Sequence, residues 1–215
     1  MRIYIHVKRL IDFCGALFGL LLLSPVLLVI ALLVRLQMGA PVLFKQQRPG
    51  LYGKPFLMLK FRSMTDARDD AGNLLSNRER LTRLGNFLRK TSLDELPELI
   101  NVLKGEMSLV GPRPLAVCYL PYYTVEEMRR HDVKPGITGW AQVNGRNSLT
   151  WEEKFKYDLE YVDHQSFFLD VRILMRTVVC VLKRSDIGER GVGIRIDFDV
   201  YRKKQQETNN KSDES

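Results

Sequence analysis

Cysteine and histidine are scarce in this chain. Its 215 residues hold three of each: Cys14, Cys118 and Cys180, and His6, His131 and His164. Neither set clusters, no Cys-x-x-Cys pair occurs, and Cys14 lies inside an apolar run. That pattern belongs to neither a disulfide framework nor a zinc site. Any metal would be a hard cation on carboxylate oxygens. Phosphate loops of the Walker or dinucleotide type are also missing. The glycine turns that do occur, Lys134-Pro135-Gly136-Ile137-Thr138-Gly139 and Asn144-Gly145-Arg146-Asn147, allow close backbone approach to a phosphate. Internal repeats and a second domain are not evident. Acidic residues are outnumbered, 25 against 33 basic, for a net charge of +8. Such a surplus attracts nucleic acid, anionic lipid or phosphorylated small molecules. The interleaved aromatic platforms that bind nucleic-acid bases are absent, so nucleic acid is not the expected partner.

One long apolar run is present. Phe13 to Val34 carries no charged side chain, and about 20 such residues are enough to span a bilayer. Ser24-Pro25 interrupts it. Pro25 lacks an N–H and its ring clashes with the carbonyl four residues back, so a kink is expected, with the Ser24 hydroxyl pairing a freed carbonyl. Lys8 and Arg9 precede the run; Arg35, Lys45 and Arg48 follow it. Cations on both flanks suit a helix that enters, bends and returns to the same face, and equally a kinked spanning helix. The run is too long for a cleaved signal peptide and lacks its small-residue cleavage site.

Val42-Leu43-Phe44 and Phe56-Leu57-Met58-Leu59 read as short strands around the turn signals Arg48-Pro49-Gly50 and Gly53-Lys54-Pro55. Asp66 to Arg80 reads as a polar loop entering a helix, and Leu99 to Leu103 as a helix ending near Gly105. Trp151, Phe155, Leu159 and Val162 recur at helical spacing. Val171 to Arg184 is a second amphipathic helix, whose Arg172, Arg176 and Lys183 form a basic stripe that suits a headgroup region and equally an ordinary surface helix packed on a core. Gln205 to Ser215 is polar and expected to be disordered. The fold class is α+β and mostly helical: a membrane helix over 1–38, a compact domain with a small β-hairpin and interfacial helices over 39–186, and a partly disordered tail over 187–215.

The chemistry centres on Ser92-Leu93-Asp94-Glu95-Leu96-Pro97. A carboxylate can attack phosphorus and hold the transferred group covalently. An adjacent carboxylate can hold Mg²⁺, which bridges one or two carboxylates to substrate phosphates. Pro97 biases Leu96 away from helical angles. The bland reading is a capping box, Ser92-x-x-Glu95, at a helix start. Basic residues weigh against it. Between Lys45 and Lys90 there are eleven Lys or Arg and four Asp or Glu. Lys60 and Arg62 alternate on a predicted strand and share a face; Arg89 and Lys90 lie just before the dyad. These residues suit a diphosphate. Arg113, between Pro112 and Pro114, is presented from a stiff segment that suits a binding residue and equally an ordinary loop proline pair.

Taken together, these stretches resemble the bacterial sugar transferases, the monotopic phosphoglycosyl transferases. The likeness runs from about Lys8 to Arg184, through Lys-Arg-Leu-Ile-Asp at Lys8–Asp12, Ser24-Pro25, Lys45-Gln46-Gln47-Arg48-Pro49-Gly50, Lys60-Phe61-Arg62-Ser63-Met64, the dyad motif, Gly111-Pro112-Arg113-Pro114, the two glycine turns with Ala141-Gln142-Val143, and Phe168-Leu169-Asp170. The resemblance implies transfer of a sugar-1-phosphate from a UDP-sugar to a polyprenyl phosphate such as undecaprenyl phosphate, with release of UMP. It implies Asp94 as nucleophile, Glu95 as Mg²⁺ ligand near the backbone of Arg146, and Lys60, Arg62, Arg89, Arg113 and Arg146 as binders of phosphate or uridine. Asp170 would orient basic partners such as Lys60. Ser24-Pro25 would make the helix re-entrant, with the catalytic domain on the cytoplasmic face of a bacterial inner membrane, beside downstream glycosyltransferases. This chain resembles the short members of the family, which often use acetamido sugars, so the resemblance implies an acetamido donor. Two other readings stay open: a basic membrane-tethered binding protein without catalysis, and a metal-dependent phosphohydrolase.

Overall fold

The computed structural model describes residues 2–145, 148–183 and 197–213. Its first element, α1 (Arg2–Met38), has 37 residues and a length of about 55 Å at ~1.5 Å per residue. It is a single helix that runs unbroken through Pro25 rather than two half-helices. Ser24 Oγ donates to the Leu21 carbonyl at 2.8 Å, the acceptor that Pro25 cannot serve. Among the described residues this is the only helix long and apolar enough to cross a membrane.

Burial on α1 follows one narrow stripe. Lys8, Asp12, Ala16, Ile30 and Val34 are buried, while Leu10, Phe18, Leu21, Leu22, Leu28 and Leu36 are each more than 60% exposed. The buried spacing is that of one helix face. Both ends of the helix touch the same body: Lys8 bonds Asp170, and the Met38 carbonyl bonds Arg62.

After α1 comes an antiparallel hairpin, β1 (Leu43–Pro49) and β2 (Pro55–Phe61). Leu43 pairs with Phe61 and Pro49 with Pro55. Both strands are longer than the apolar residues alone indicated, because the ladder carries Lys45, Gln46 and Gln47 as well. Then follow α2 (Asn77–Arg80) and α3 (Arg83–Thr91), each opened by a hydroxyl cap, at Ser76 and Thr82. Next, α4 (Glu98–Lys104) stops at Gly105, whose φ of 83° lies in the left-handed region that glycine tolerates. Strand β3 (Ser108–Val110) lies parallel to β4 (Gly136–Thr138), with α5 (Val125–Met128) in the connection. The chain continues through α6 (Trp140–Val143), α7 (Trp151–His164) and α8 (Phe167–Lys183).

Among the described residues the core is four apolar clusters rather than one. Two join α1 to the body: Ala16 with Phe56, Met58, Val102 and Met107, and Ile30 and Val34 with Phe61 and Leu88. A third joins Val110, Trp140, Tyr161 and Ile173. The fourth is aromatic and corrects the expectation for the tail. Here α9 (Phe198–Asp213) is helical through much of the segment read as disordered. Fully buried Phe198 plugs a cage of Tyr119, Tyr123, Trp151 and Phe155. One apolar anchor at the helix start outweighs the polar composition of the rest. Residues 184–196, including Arg184 at the end of the predicted amphipathic helix, lie outside the described residues.

Candidate active site

The dyad lies on a tight 3₁₀ turn, Leu93–Glu95, between α3 and α4. Ser92 closes α3 with a φ of 59° and makes no side-chain cap. The capping-box reading therefore fails: Ser92 ends one helix rather than starting the next. Leu96 is in the right-handed helical region despite preceding Pro97. The irregularity that separates the two carboxylates comes from the left-handed Ser92 instead. Leu93 packs against the cluster of Phe61 and Leu88, which fixes the turn. Asp94 and Glu95 are each only 6% exposed.

Glu95 Oε1 accepts from Lys60 Nζ at 2.7 Å and from Arg113 Nη2 at 2.5 Å. Lys60 rises from β2, and Arg113 reaches in from the loop after β3. A third carboxylate, which the sequence reading missed, completes the cluster. Glu98 is 1% exposed, and its Oε1 lies 3.2 Å from Lys60 Nζ, an ion-pair contact outside hydrogen-bond geometry. Burial pushes its carboxyl up to about 7, against the pull of Lys60. In sequence Glu98 looks like an ordinary acidic residue in the first turn of a helix; only its position three residues after Glu95 hints at the shared face. Beside these carboxylates the Arg113 guanidinium is held firmly charged, chiefly by Glu95.

Arg113 owes its placement to close-packed glycines. A Cβ on Gly111 would stand 2.3 Å from the Lys134 carbonyl, and one on Gly136 would stand 2.1 Å from the Gly111 nitrogen. These glycines let β3 and β4 approach; they serve backbone packing rather than a phosphate cradle.

The other predicted residues divide. Lys60, Arg62, Arg89, Asp94, Glu95 and Arg113 line one cavity of about 1240 Å³. Arg62 is largely committed to structure: its guanidinium donates to the carbonyls of Met38, Ala40 and Met64 and pairs with Asp66. Arg89 Nε donates to Ser63 Oγ at 2.9 Å. Asp170 does not meet Lys60. It accepts from Lys8 at 2.5 Å, from Tyr4 at 2.5 Å and from Tyr161 at 2.7 Å, and so ties the start of α1 to α8. The placement of Arg146 lies outside the described residues.

The same cavity that holds the dyad and its cations is also lined by Gly19 and Leu23 of α1 and by Leu174, Val178 and Val181 of α8. The model of the bacterial sugar transferase family matches residues 3–184. The chain belongs to this family. An uncharacterised sugar transferase, EpsL, of Bacillus subtilis is 59% identical over 183 residues, 85% of this chain and 91% of that protein. A UDP-glucose:undecaprenyl-phosphate glucose-1-phosphate transferase of Escherichia coli is 48% identical over 182 residues, covering 80% of this chain and 39% of the relative. A UDP-galactose-lipid carrier transferase of Erwinia amylovora is 42% identical, covering 83% of this chain and 41% of the relative. The sugar transferase thus matches EpsL almost end to end and spans about two-fifths of the longer relatives.

The donor set of this sugar transferase suits a hard cation. Asp94, Glu95 and Glu98 present only oxygen, and Glu98 Oε1 is buried without a hydrogen bond. Among the described residues no group of three or more His, Cys, Asp or Glu forms a ready metal cage. The arrangement fits Mg²⁺, which takes one or two carboxylates and completes its shell with waters and substrate phosphates.

Proposed function

We propose that this sugar transferase moves a sugar-1-phosphate from a UDP-sugar to a polyprenyl phosphate, through a phosphosugar held covalently on Asp94. One observation carries the reading: a buried dyad sits in a cavity that is cationic on one side and apolar, between α1 and α8, on the other. A diphosphate and a lipid-linked phosphate need those two surroundings in one place.

In this reading an Asp94 carboxylate oxygen attacks the sugar-linked phosphorus. The bond to the bridging oxygen breaks and UMP leaves. An oxygen of the lipid phosphate then attacks the same phosphorus, the Asp94–phosphorus bond breaks, and the carboxylate is restored. Arg113, Lys60 and Arg89 neutralise and orient the diphosphate. Glu95 would hold Mg²⁺, which when bound would supply charge neutralisation at the phosphate oxygens. For that, Lys60 and Arg113 exchange Glu95 for phosphate oxygens.

The protein lies on one leaflet, with its catalytic body on the cytoplasmic side where UDP-sugars are found. Two observations support a monotopic arrangement. Both ends of α1 touch the same body, and the middle of α1 shares a cavity with the charged dyad. A helix crossing the bilayer would carry that charge into hydrocarbon, at a cost of several kcal/mol or more. Exposed Phe167, Phe168, Val171, Met175 and Val178 of α8 and the open face of α1 form the lipid-facing surface. The donor is a UDP-hexose. The acetamido form that the short-chain likeness implies and the glucose and galactose of the longer relatives' names form the panel to be tested. The product would feed a glycoconjugate or exopolysaccharide pathway.

The test is the intact mass of purified protein mixed with Mg²⁺ and single UDP-sugars without lipid acceptor. An adduct of one phosphosugar, lost in Asp94→Asn, supports the mechanism and identifies the donor. Hydrolysis of the UDP-sugar to UMP and sugar-1-phosphate without an adduct would favour the phosphohydrolase; no reaction with any donor and no UMP release on adding polyprenyl phosphate would favour the binding protein.

A further inference from the structure

Arg130 and Asp158 form the most thoroughly buried ion pair among the described residues. Their side chains are 1% and 2% exposed, with Nη2 at 2.7 Å and Nε at 3.1 Å from Asp158 Oδ2. The guanidinium lies 5.8 Å from the ring centres of both Tyr123 and Phe155. Neither residue is used by the chemistry above, and neither carries any of the sequence motifs.

Such a pair is a poor way to gain stability. Two charges lose their hydration, and a well-packed apolar pair in the same volume is often as stable or more so. What an apolar pair cannot supply is a hydrogen bond, and Arg130 makes one toward the dyad. Its Nη2 donates to the Arg113 carbonyl at 2.8 Å. The segment Pro112-Arg113-Pro114 is short of donors, because neither proline has an N–H. It must be pinned through its acceptors. The Pro112 carbonyl accepts from the Gly136 nitrogen at 3.0 Å, and the Arg113 carbonyl accepts from Arg130. With backbone held on both sides, the Arg113 side chain reaches Glu95.

We infer that Arg130, held in orientation by Asp158, is a positioning residue that aims Arg113 at the diphosphate of the donor. Asp158 fixes the guanidinium plane by taking Nε and Nη2 on one oxygen, which leaves Nη2 directed at the Arg113 carbonyl as well. The aromatic cage plugged by Phe198 excludes water that would compete for this bond. The inference rests on the proposed role of Arg113 in donor binding.

Two variants separate positioning from mere support. Arg130→Lys keeps the charge opposite Asp158, but a single ammonium cannot reproduce the planar fork shared between the carboxylate and the carbonyl. Arg130→Met with Asp158→Leu replaces the pair by apolar bulk. Steady-state rates with UDP-glucose and UMP binding by calorimetry are read beside thermal stability; UMP needs no knowledge of the sugar. Arg130→Lys is expected to raise KM and weaken UMP about tenfold, the scale of one hydrogen bond to a charged group, with kcat much less affected. The apolar double variant is expected to melt near the wild type yet show the same loss. If it does not fold, Arg130→Lys decides alone. Wild-type KM and UMP affinity in Arg130→Lys, or in a stable double variant, would overturn the inference. A wild type that turns over neither UDP-glucose nor any other donor refutes the functional reading and takes this inference with it; a wild type that turns over, with variants that match it, removes the positioning role alone.

Discussion

Lys60 and Glu95 meet at 2.7 Å although 35 residues separate them in the chain. The contact joins β2 to the turn between α3 and α4, and it sets the charge balance around Asp94. Lys60 also faces Glu98, so one ammonium stands between two buried carboxylates. Asp94, the proposed nucleophile, therefore sits beside a preassembled group of fixed charges rather than in open solvent.

Asp94→Asn should abolish the phosphosugar adduct and lower turnover by roughly 10⁴-fold or more, the scale seen when a covalent nucleophile is lost. The amide is nearly isosteric, so thermal stability should stay close to wild type. Intact-protein mass and UMP release measure this. Full activity in the variant would remove Asp94 from its role.

Glu95→Gln should act through both metal and packing. The neutral amide is a weaker Mg²⁺ ligand, so the Mg²⁺ concentration giving half-maximal rate should rise about tenfold or more. A titration of rate against Mg²⁺ decides it. An unchanged midpoint would argue against Glu95 as the metal-holding residue.

Glu98 links stability to pH. Its carboxyl is pushed up to about 7 from an ordinary 4.5. Between those values the folded protein holds a proton that the unfolded chain has released. Stability from this group is therefore full below about pH 4.5 and lost as pH rises through about 7. Melting curves across that window should show the wild type losing stability with rising pH and Glu98→Gln losing less. Parallel slopes in the two proteins would count against this assignment.

Asp170→Ala should destabilise the protein by about 3 kcal/mol, because it removes the 2.5 Å partner of buried Lys8 and leaves only Asp12, at 3.8 Å, facing the ammonium. Lys8 is only 8% exposed. Chemical denaturation in detergent gives the number. A loss below about 1 kcal/mol, the range of exposed pairs, would show that the start of α1 is not anchored there.

The hairpin strands, α4 with its stop at Gly105, and α7 were legible because their signals are local. Alternation, helical period, caps and turn residues each depend on neighbours within a few positions. The order of motifs also marked Asp94, Glu95, Lys60 and Arg113 as one site. Other residues were misread for the opposite reason. Arg62 looked like a phosphate binder, but its donors are largely taken up by backbone carbonyls and Asp66. Gly136 looked suited to close approach of a phosphate; in the fold it packs against Gly111 and lets two strands touch.

Sequence by itself determined the membrane-seeking segment, the hairpin, the main helices and the chemical identity of the dyad, since each follows from residue type and short-range pattern. Tertiary structure alone decided that Asp170 takes Lys8, that Glu98 joins the carboxylates, that Arg130 reaches the Arg113 carbonyl, and that Phe198 turns a polar tail into a docked helix. Those partners are distant in sequence or held by packing against distant elements. No local propensity encodes them, because their energies arise only once folding brings charges and rings together out of water.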